Sequence, residues 1–238
     1  MIVDCHNHVG IRIGQSQTGE QLIAMMDRIG VEKAVIFPFI EQPDNDYIAR
    51  QVKNYPDRLI GFACVNPWNK GSLEEVERSF SELNLKGLKL HPLLHGYGMD
   101  NLNLLSPFFK VCEKYGRPVL SHGSGDNPFS MPLQFEEIAK AHPDVPLIMA
   151  HAGFMQATEQ ARRVAKRCPN IYLDMTAATM IDMRDAVEEL GAERVLMGSD
   201  TPFMDIEVEL VKARIAVEDE KKRALVTGGN ILRILGQN

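Results

Sequence analysis

The amino-acid sequence predicts a single (β/α)8 barrel over residues 1–238, with a metal site on the rim formed by the C-terminal ends of its strands. Eight short β-branched or apolar runs alternate with helical patterns, an order that calls for parallel strands joined by right-handed crossovers. Residues able to bind a metal or move a proton fall at the ends of those runs: His6 and His8, Lys89 and His91, His122, His151 and Asp200. An open doubly wound sheet would place them only beside its switch point, whereas a closed barrel draws on strands all around one rim. The length of 238 residues also suits the ~250 typical of one such barrel.

The first strand candidate, 2–9, ends in His-Asn-His, and the helical pattern over 19–29 after it is closed by Gly30. Glycine there suits a left-handed cap. Strand 32–40 leads to a weaker helical pattern over 46–54, and strand 59–65 to a helix over 72–83. Strand 87–91 opens into a Gly-containing loop with His95 and Tyr97, followed by a helix over 106–115. Pro118 and Pro146 head strands 118–122 and 146–151, where a missing N–H does no harm. Helices over 132–141 and 158–167 follow them. Strand 171–175 and helix 184–190, with Gly191 as its left-handed cap, precede strand 195–200. Two more helices, 205–217 and 219–234, complete the ring, and no linker or repeat divides the chain.

Composition narrows the function classes. Apolar residues at 45% and charged residues at 24% are ordinary for a globular domain. The net charge of −6 is interspersed, and no basic stripe offers a footprint for nucleic acid. No apolar run reaches the ~18 residues of a membrane span. Four scattered cysteines read as small core residues in a reducing compartment. A first strand beginning at Ile2 leaves no room for a signal peptide, so a cytoplasmic location is expected. The expected partner is a small-molecule substrate. A homodimer is allowed for, although no sequence patch marks its surface.

Side chains alternate along a strand, so Asp4, His6 and His8 point one way and Val3, Cys5 and Asn7 the other. Two imidazoles on one strand face can converge on one divalent cation. Seven His in 238 positions give roughly 0.2 His-x-His pairs by chance, so position at a strand end carries the inference. His122 stands before Gly-Ser-Gly, and His151 likewise ends a strand within Ala-His-Ala-Gly. Asp200 could simply cap the helix near Pro202. In a closed barrel, however, the eighth strand neighbours the first and sets Asp200 beside His6 and His8. Mixed imidazole and carboxylate ligands with one open position suit catalytic zinc.

The runs Asp-Cys-His-Asn-His-Val-Gly, Gly-Leu-Lys-Leu-His-Pro, Leu-Ile-Met-Ala-His-Ala-Gly, Met-Gly-Ser-Asp-Thr-Pro and Gly-Gly-Asn-Ile-Leu-Arg-Ile-Leu together resemble the amidohydrolase superfamily. The branch resembled is the amidohydrolase 2 group related to aminocarboxymuconate-semialdehyde decarboxylase. The resemblance implies that His6, His8, His122 and Asp200 ligate one divalent metal, Zn2+ by preference with Mn2+ as the alternative. It gives His151 a catalytic or supporting role. Two-metal members bridge their ions with a carboxylated Lys or a Glu on strand four. Lys89 could do so, but its setting resembles the one-metal branch.

Lys89 and His91 are then expected to grip an anionic or carbonyl group of the substrate, with Arg12 as a further candidate for a carboxylate. The expected activity is hydrolysis of a small ester, lactone or amide by a metal-activated water, with Asp200 carrying the proton and His151 bonding the nucleophile or oxyanion. A non-hydrolytic decarboxylase or hydratase of small carboxylated substrates is the alternative, set second because 238 residues leave little beyond the barrel. A barrel without catalysis, used for binding, is a remote third.

Overall fold

The computed structural model describes residues 1–237, the side chain of Met155 excepted. Strand β1 (Val3–Arg12) turns back through the short antiparallel β2 (Gln15–Gln17) and pairs in parallel with β3 (Lys33–Pro38). β3 pairs with β4 (Leu59–Gly61). β4 and β5 (Ala63–Cys64) are two ends of one barrel strand interrupted at Phe62. The Phe62 N–H still donates to Ile36 O, while Ala63 N–H turns to Gly87 O. Parallel pairing continues through β6 (Leu88–Leu90), β7 (Val119–Ser124), β8 (Leu147–Gly153), β9 (Ile171–Asp174) and β10 (Val195–Leu196). The segment after β10 closes the ring. Cys5 N–H donates to Met197 O, Asp200 N–H to His6 O and His8 N–H to Thr201 O.

The helices lie between strands as expected: α1 (Gly19–Ile29), α2 (Asn45–Asn54), α3 (Ser72–Ser81), α4 (Pro92–His95), α5 (Leu102–Tyr115), α6 (Phe135–Ala141), α7 (Phe154–Arg167), α8 (Met180–Leu190), α9 (Ile206–Ala216), α10 (Glu220–Ala224) and α11 (Asn230–Ile234). Several boundaries differ from the periodicity, each for a local reason. α5 begins at Leu102 because the Asn101 side chain accepts the Leu104 N–H. α8 begins at Met180 because Thr179 and Asp182 form a reciprocal capping box. The last tail helix is broken by a wide turn at Gly228 (φ 171°, ψ −37°) between α10 and α11. Gly30 takes the predicted left-handed cap, but Gly191 (φ 89°, ψ 148°) does not and ends α8 with extended ψ instead. The hairpin β2 and the one-turn α4 were not expected. Thr179→Ala removes a cap and is expected to lower unfolding free energy by about 1 kcal/mol, read from urea denaturation.

Alternation along the strands builds two apolar layers, except in β1, where a bulge between Asp4 and Asn7 breaks the expected split of Asp4, His6 and His8 from Val3 and Cys5. Val3, Cys5, Val35, Phe37, Ile60, Phe62, Leu120 and Ile148 fill the barrel interior, and Ile231 of α11 closes its lower end. Ile36, Leu88, Leu90, Val119, Leu147 and Leu173 face the helices instead. Each such buried side chain contributes roughly 1.5–3 kcal/mol. The same alternation turns Lys89, between Leu88 and Leu90, toward the barrel axis, where it is 1% exposed. No helix among the described residues is long and apolar enough to cross a membrane. Cys5, Cys64, Cys112 and Cys168 are free and buried.

Candidate metal centre

The closure of the barrel is also what assembles the site. Asp4 accepts the Ser199 N–H (2.9 Å) and the Ser199 hydroxyl, and Thr201 Oγ1 donates to Asn7 Oδ1 at 2.7 Å. These buried bonds tie β1 to the segment after β10 and hold Asp200 against the two histidines of β1. His6 Nε2 and His8 Nε2 lie 3.1 and 3.2 Å from the same oxygen, Asp200 Oδ1. Each ring is oriented from behind. His6 Nδ1 donates to Asp174 Oδ2 at 2.7 Å and His8 Nδ1 to Pro38 O at 3.2 Å. With the proton held on Nδ1, each Nε2 presents a lone pair inward.

His151 joins them from β8. Its backbone has φ 61° and that of Asp200 φ 59°, the left-handed region that costs a non-glycine residue about 1–2 kcal/mol. Ligand atoms of His6, His151 and Asp200 all lie within 4.8 Å of one another. His151 Nδ1 and Asp200 Oδ1 are buried without a hydrogen-bond partner, so the 3.1 and 3.2 Å approaches to Asp200 lack hydrogen-bond direction. Ligands 2.0–2.2 Å from one tetrahedral ion stand about 3.3–3.6 Å apart, so this spacing is close to that of shared coordination. Burial pushes His8 and His151 down to about 4 and His122 well below the imidazole range. Neutral rings are the ligating form. Burial works to raise the Asp200 carboxyl, but His6 and His8 beside it hold it well below the usual range, as an anion. Burial and Lys89 work to lower His6, but Asp200 and Asp174 beside it hold it above the usual imidazole range. Two orphan atoms, the neutral rings of His8 and His151 and one carboxylate fit a borderline divalent cation.

The predicted residues are thus only partly brought together. His6, His8 and Asp200 meet at one oxygen, His151 joins His6 and Asp200 in the close group, and His122 lines the same cavity. The His122 ring lies outside the three-residue group, stacked on His91 (4.1 Å between centroids) and edge-on to His151 (4.9 Å). His91 Nδ1 also accepts the Leu94 N–H and caps α4. Lys89 lines the same cavity from its depth. Its Nζ sits 3.0 Å from His6 Nε2 and 4.4 Å from the centre of the Phe37 ring, and burial pulls it down to about 8. Arg12 pairs with Glu41 (2.8 Å) and lies over Phe203 (5.2 Å) at the mouth of the cavity. That cavity, of about 290 Å3, is floored by the histidines and Asp200 and walled by Phe39 and Phe203.

Sequence reasoning missed Asp174, the fully buried carboxylate behind His6. Its signal was an acidic residue ending an otherwise apolar strand. It also missed Phe39 and Phe203, whose rings meet edge to face 6.0 Å apart beside His8.

A closed (β/α)8 barrel with a His/His/Asp cluster at the C-terminal ends of its strands defines a metal-dependent barrel enzyme as the class. Residues 3–237 match the amidohydrolase family Amidohydro_2, and the chain belongs to it. It is 25% identical over 235 residues to a 2-amino-3-carboxymuconate-6-semialdehyde decarboxylase of Dictyostelium discoideum, covering 81% of this chain and 65% of that protein's length. Among solved structures it is similar to an uncharacterized TIM-barrel protein, Bb4693, from Bordetella bronchiseptica (TM-score 0.85, 18% identity, 99% of this chain and 98% of that one). It is also similar to a dihydroxybenzoic acid decarboxylase from Polaromonas sp. JS666 with bound manganese and the inhibitor 2-nitroresorcinol (TM-score 0.80, 16% identity, 99% and 96%).

Proposed function

We propose that this chain is a metal-dependent lyase that removes CO2 from a small, flat, carboxylated substrate, and that it does so within the single barrel. The observation that carries this reading is the shape of the cavity. Metal-ligating groups form its floor, two aromatic rings form its walls, and a guanidinium stands at its mouth. A volume of about 290 Å3 lies at the small end of ligand pockets. The likeness to proteins described as decarboxylases supports the same reading. The expectation of hydrolysis rests only on the length of 238 residues, whereas the match to the Polaromonas decarboxylase, which spans 96% of its chain, supports decarboxylation.

His6, His151 and Asp200, with His8 at Asp200, would hold the cation, which supplies positive charge to draw electrons from the substrate. Phe39 and Phe203 orient the ring of the substrate and exclude water. Arg12 binds a carboxylate at the mouth. The bond between the substrate carbon and its carboxyl carbon breaks and CO2 leaves. The electron pair left on that carbon takes a proton that Asp200 first receives from a solvent donor and then delivers. Zn2+ and Mn2+ both suit the donor set, and elemental analysis of purified protein distinguishes them. A chelator is expected to abolish turnover and one of these ions to restore it.

The test is a panel of hydroxybenzoates and other small carboxylates, followed by CO2 release, beside a panel of esters, lactones and amides. Hydrolysis of the second panel with no CO2 from the first returns the hydrolase reading. Arg12→Ala is expected to raise KM for the carboxylated substrate about 10-fold with little change in kcat. An unchanged KM removes Arg12 from substrate binding.

A further inference from the structure

Helix α9 carries apolar side chains on both of its faces. Ile206, Ala213 and Ala216 are buried against the barrel, together with Glu209. On the opposite face Val208, Val211 and Ile215 are 64, 38 and 47% exposed. Single exposed apolar residues are ordinary on protein surfaces. A stripe at i, i+3 and i+7 on the outer face of a helix is not, because a solvent-facing helix places polar residues there.

The charges beside the stripe say what covers it. At 100° per residue, Val208 and Ile215 fall on one side of Val211, while Glu207 and Arg214 fall on the other. Neither Glu207 nor Arg214 has an ion-pair partner among the described residues, and both border a groove between α9 and the end of α1. An antiparallel copy of α9, related by a two-fold axis at Val211, meets this pattern at every position. Val211 packs on Val211 of the copy, Val208 on Ile215, and Glu207 faces Arg214, each pair occurring twice. A parallel copy would oppose the apolar side of one helix to the charged side of the other. We propose that α9 is a self-complementary dimerisation surface, and that its partner is a second copy of this chain in antiparallel register. This interface is independent of the chemistry at the rim. Being confined to one short helix from each copy, it falls in the smaller interface class, below about 1,200 Å2, and forms a concentration-dependent dimer.

Sedimentation equilibrium of the full chain from 1 to 200 µM, in roughly twofold steps, is the test. A monomer–dimer equilibrium is expected. Val211→Glu sets two carboxylates at the axis and is expected to weaken association at least about 10-fold, with circular dichroism and Tm unchanged. Glu207→Arg and Arg214→Glu are each expected to weaken it about 5-fold, and the double reversal to restore it. Val211→Cys is expected to give a disulfide-linked dimer, because the native cysteines are buried. A monomer throughout the range, or a dimer indifferent to Val211→Glu, overturns the interface. A dimer in which the double reversal fails to restore association overturns the antiparallel register.

Discussion

Asp200→Asn is expected to lower kcat about 1,000-fold, equivalent to about 4 kcal/mol of transition-state stabilisation, while leaving the fold intact. The fold is spared because Asn is, after Gly, the residue that best tolerates the left-handed backbone found at Asp200 (φ 59°). Its N–H can still donate to His6 O (2.7 Å). The chemistry is lost for two reasons. Asn carries no anion to receive and return the proton. An amide nitrogen in place of Oδ1 would also donate into the lone pairs of His6 Nε2 and His8 Nε2, which lie 3.1 and 3.2 Å away, and so compete for the atoms that would hold the cation. Metal content should therefore fall together with kcat, while the urea midpoint stays within its error. Full turnover by Asp200→Asn ends the proton-carrying role.

The sequence reveals which strand ends bear the chemistry, because the barrel order sets Asp200 beside the histidines of the first strand, but the period of two does not hold along β1, where a bulge between Asp4 and Asn7 brings Cys5 to the interior together with His6 and His8. What it does not reveal is which ring atoms converge. At His151 and Asp200 the backbone leaves the extended region, so strict alternation no longer aims their side chains. This is why His151, and not His122, completes the close group with His6 and Asp200. Asp174 is 168 residues from His6, and nothing in the local pattern pairs them. Thr179 and Asn101 were readable as caps, whereas the apolar periodicity of α5 and α8 was only clear some residues later. Lys89 shows the converse case. Alternation with Leu88 and Leu90 correctly turns it inward, but its depth follows from the packing of Phe37 and His6 around it.

Asp174→Asn is expected to weaken metal binding by about 10- to 100-fold with little loss of stability. The side chains are isosteric, so the effect comes from the lost charge beside His6 and from the direction of the hydrogen bonds. Asp174 Oδ1 accepts the Thr176 N–H at 3.0 Å and the Thr176 hydroxyl at 2.6 Å, while Oδ2 accepts from His6 Nδ1. In the Asn variant the remaining oxygen must stay with the two Thr176 donors, because an amide nitrogen there would face two hydrogens. The amide NH2 then points at His6 Nδ1 and makes that atom an acceptor. The imidazole proton moves to Nε2, and the lone pair aimed at Asp200 is lost. Asp174 thus positions the ligand by fixing its tautomer, a role that a purely structural carboxylate would not have. Competition against a chromophoric chelator measures the affinity, and the shift of the His6 ring nitrogen resonances reports the tautomer directly. Unchanged affinity with the proton still on Nδ1 would show that another group orients His6.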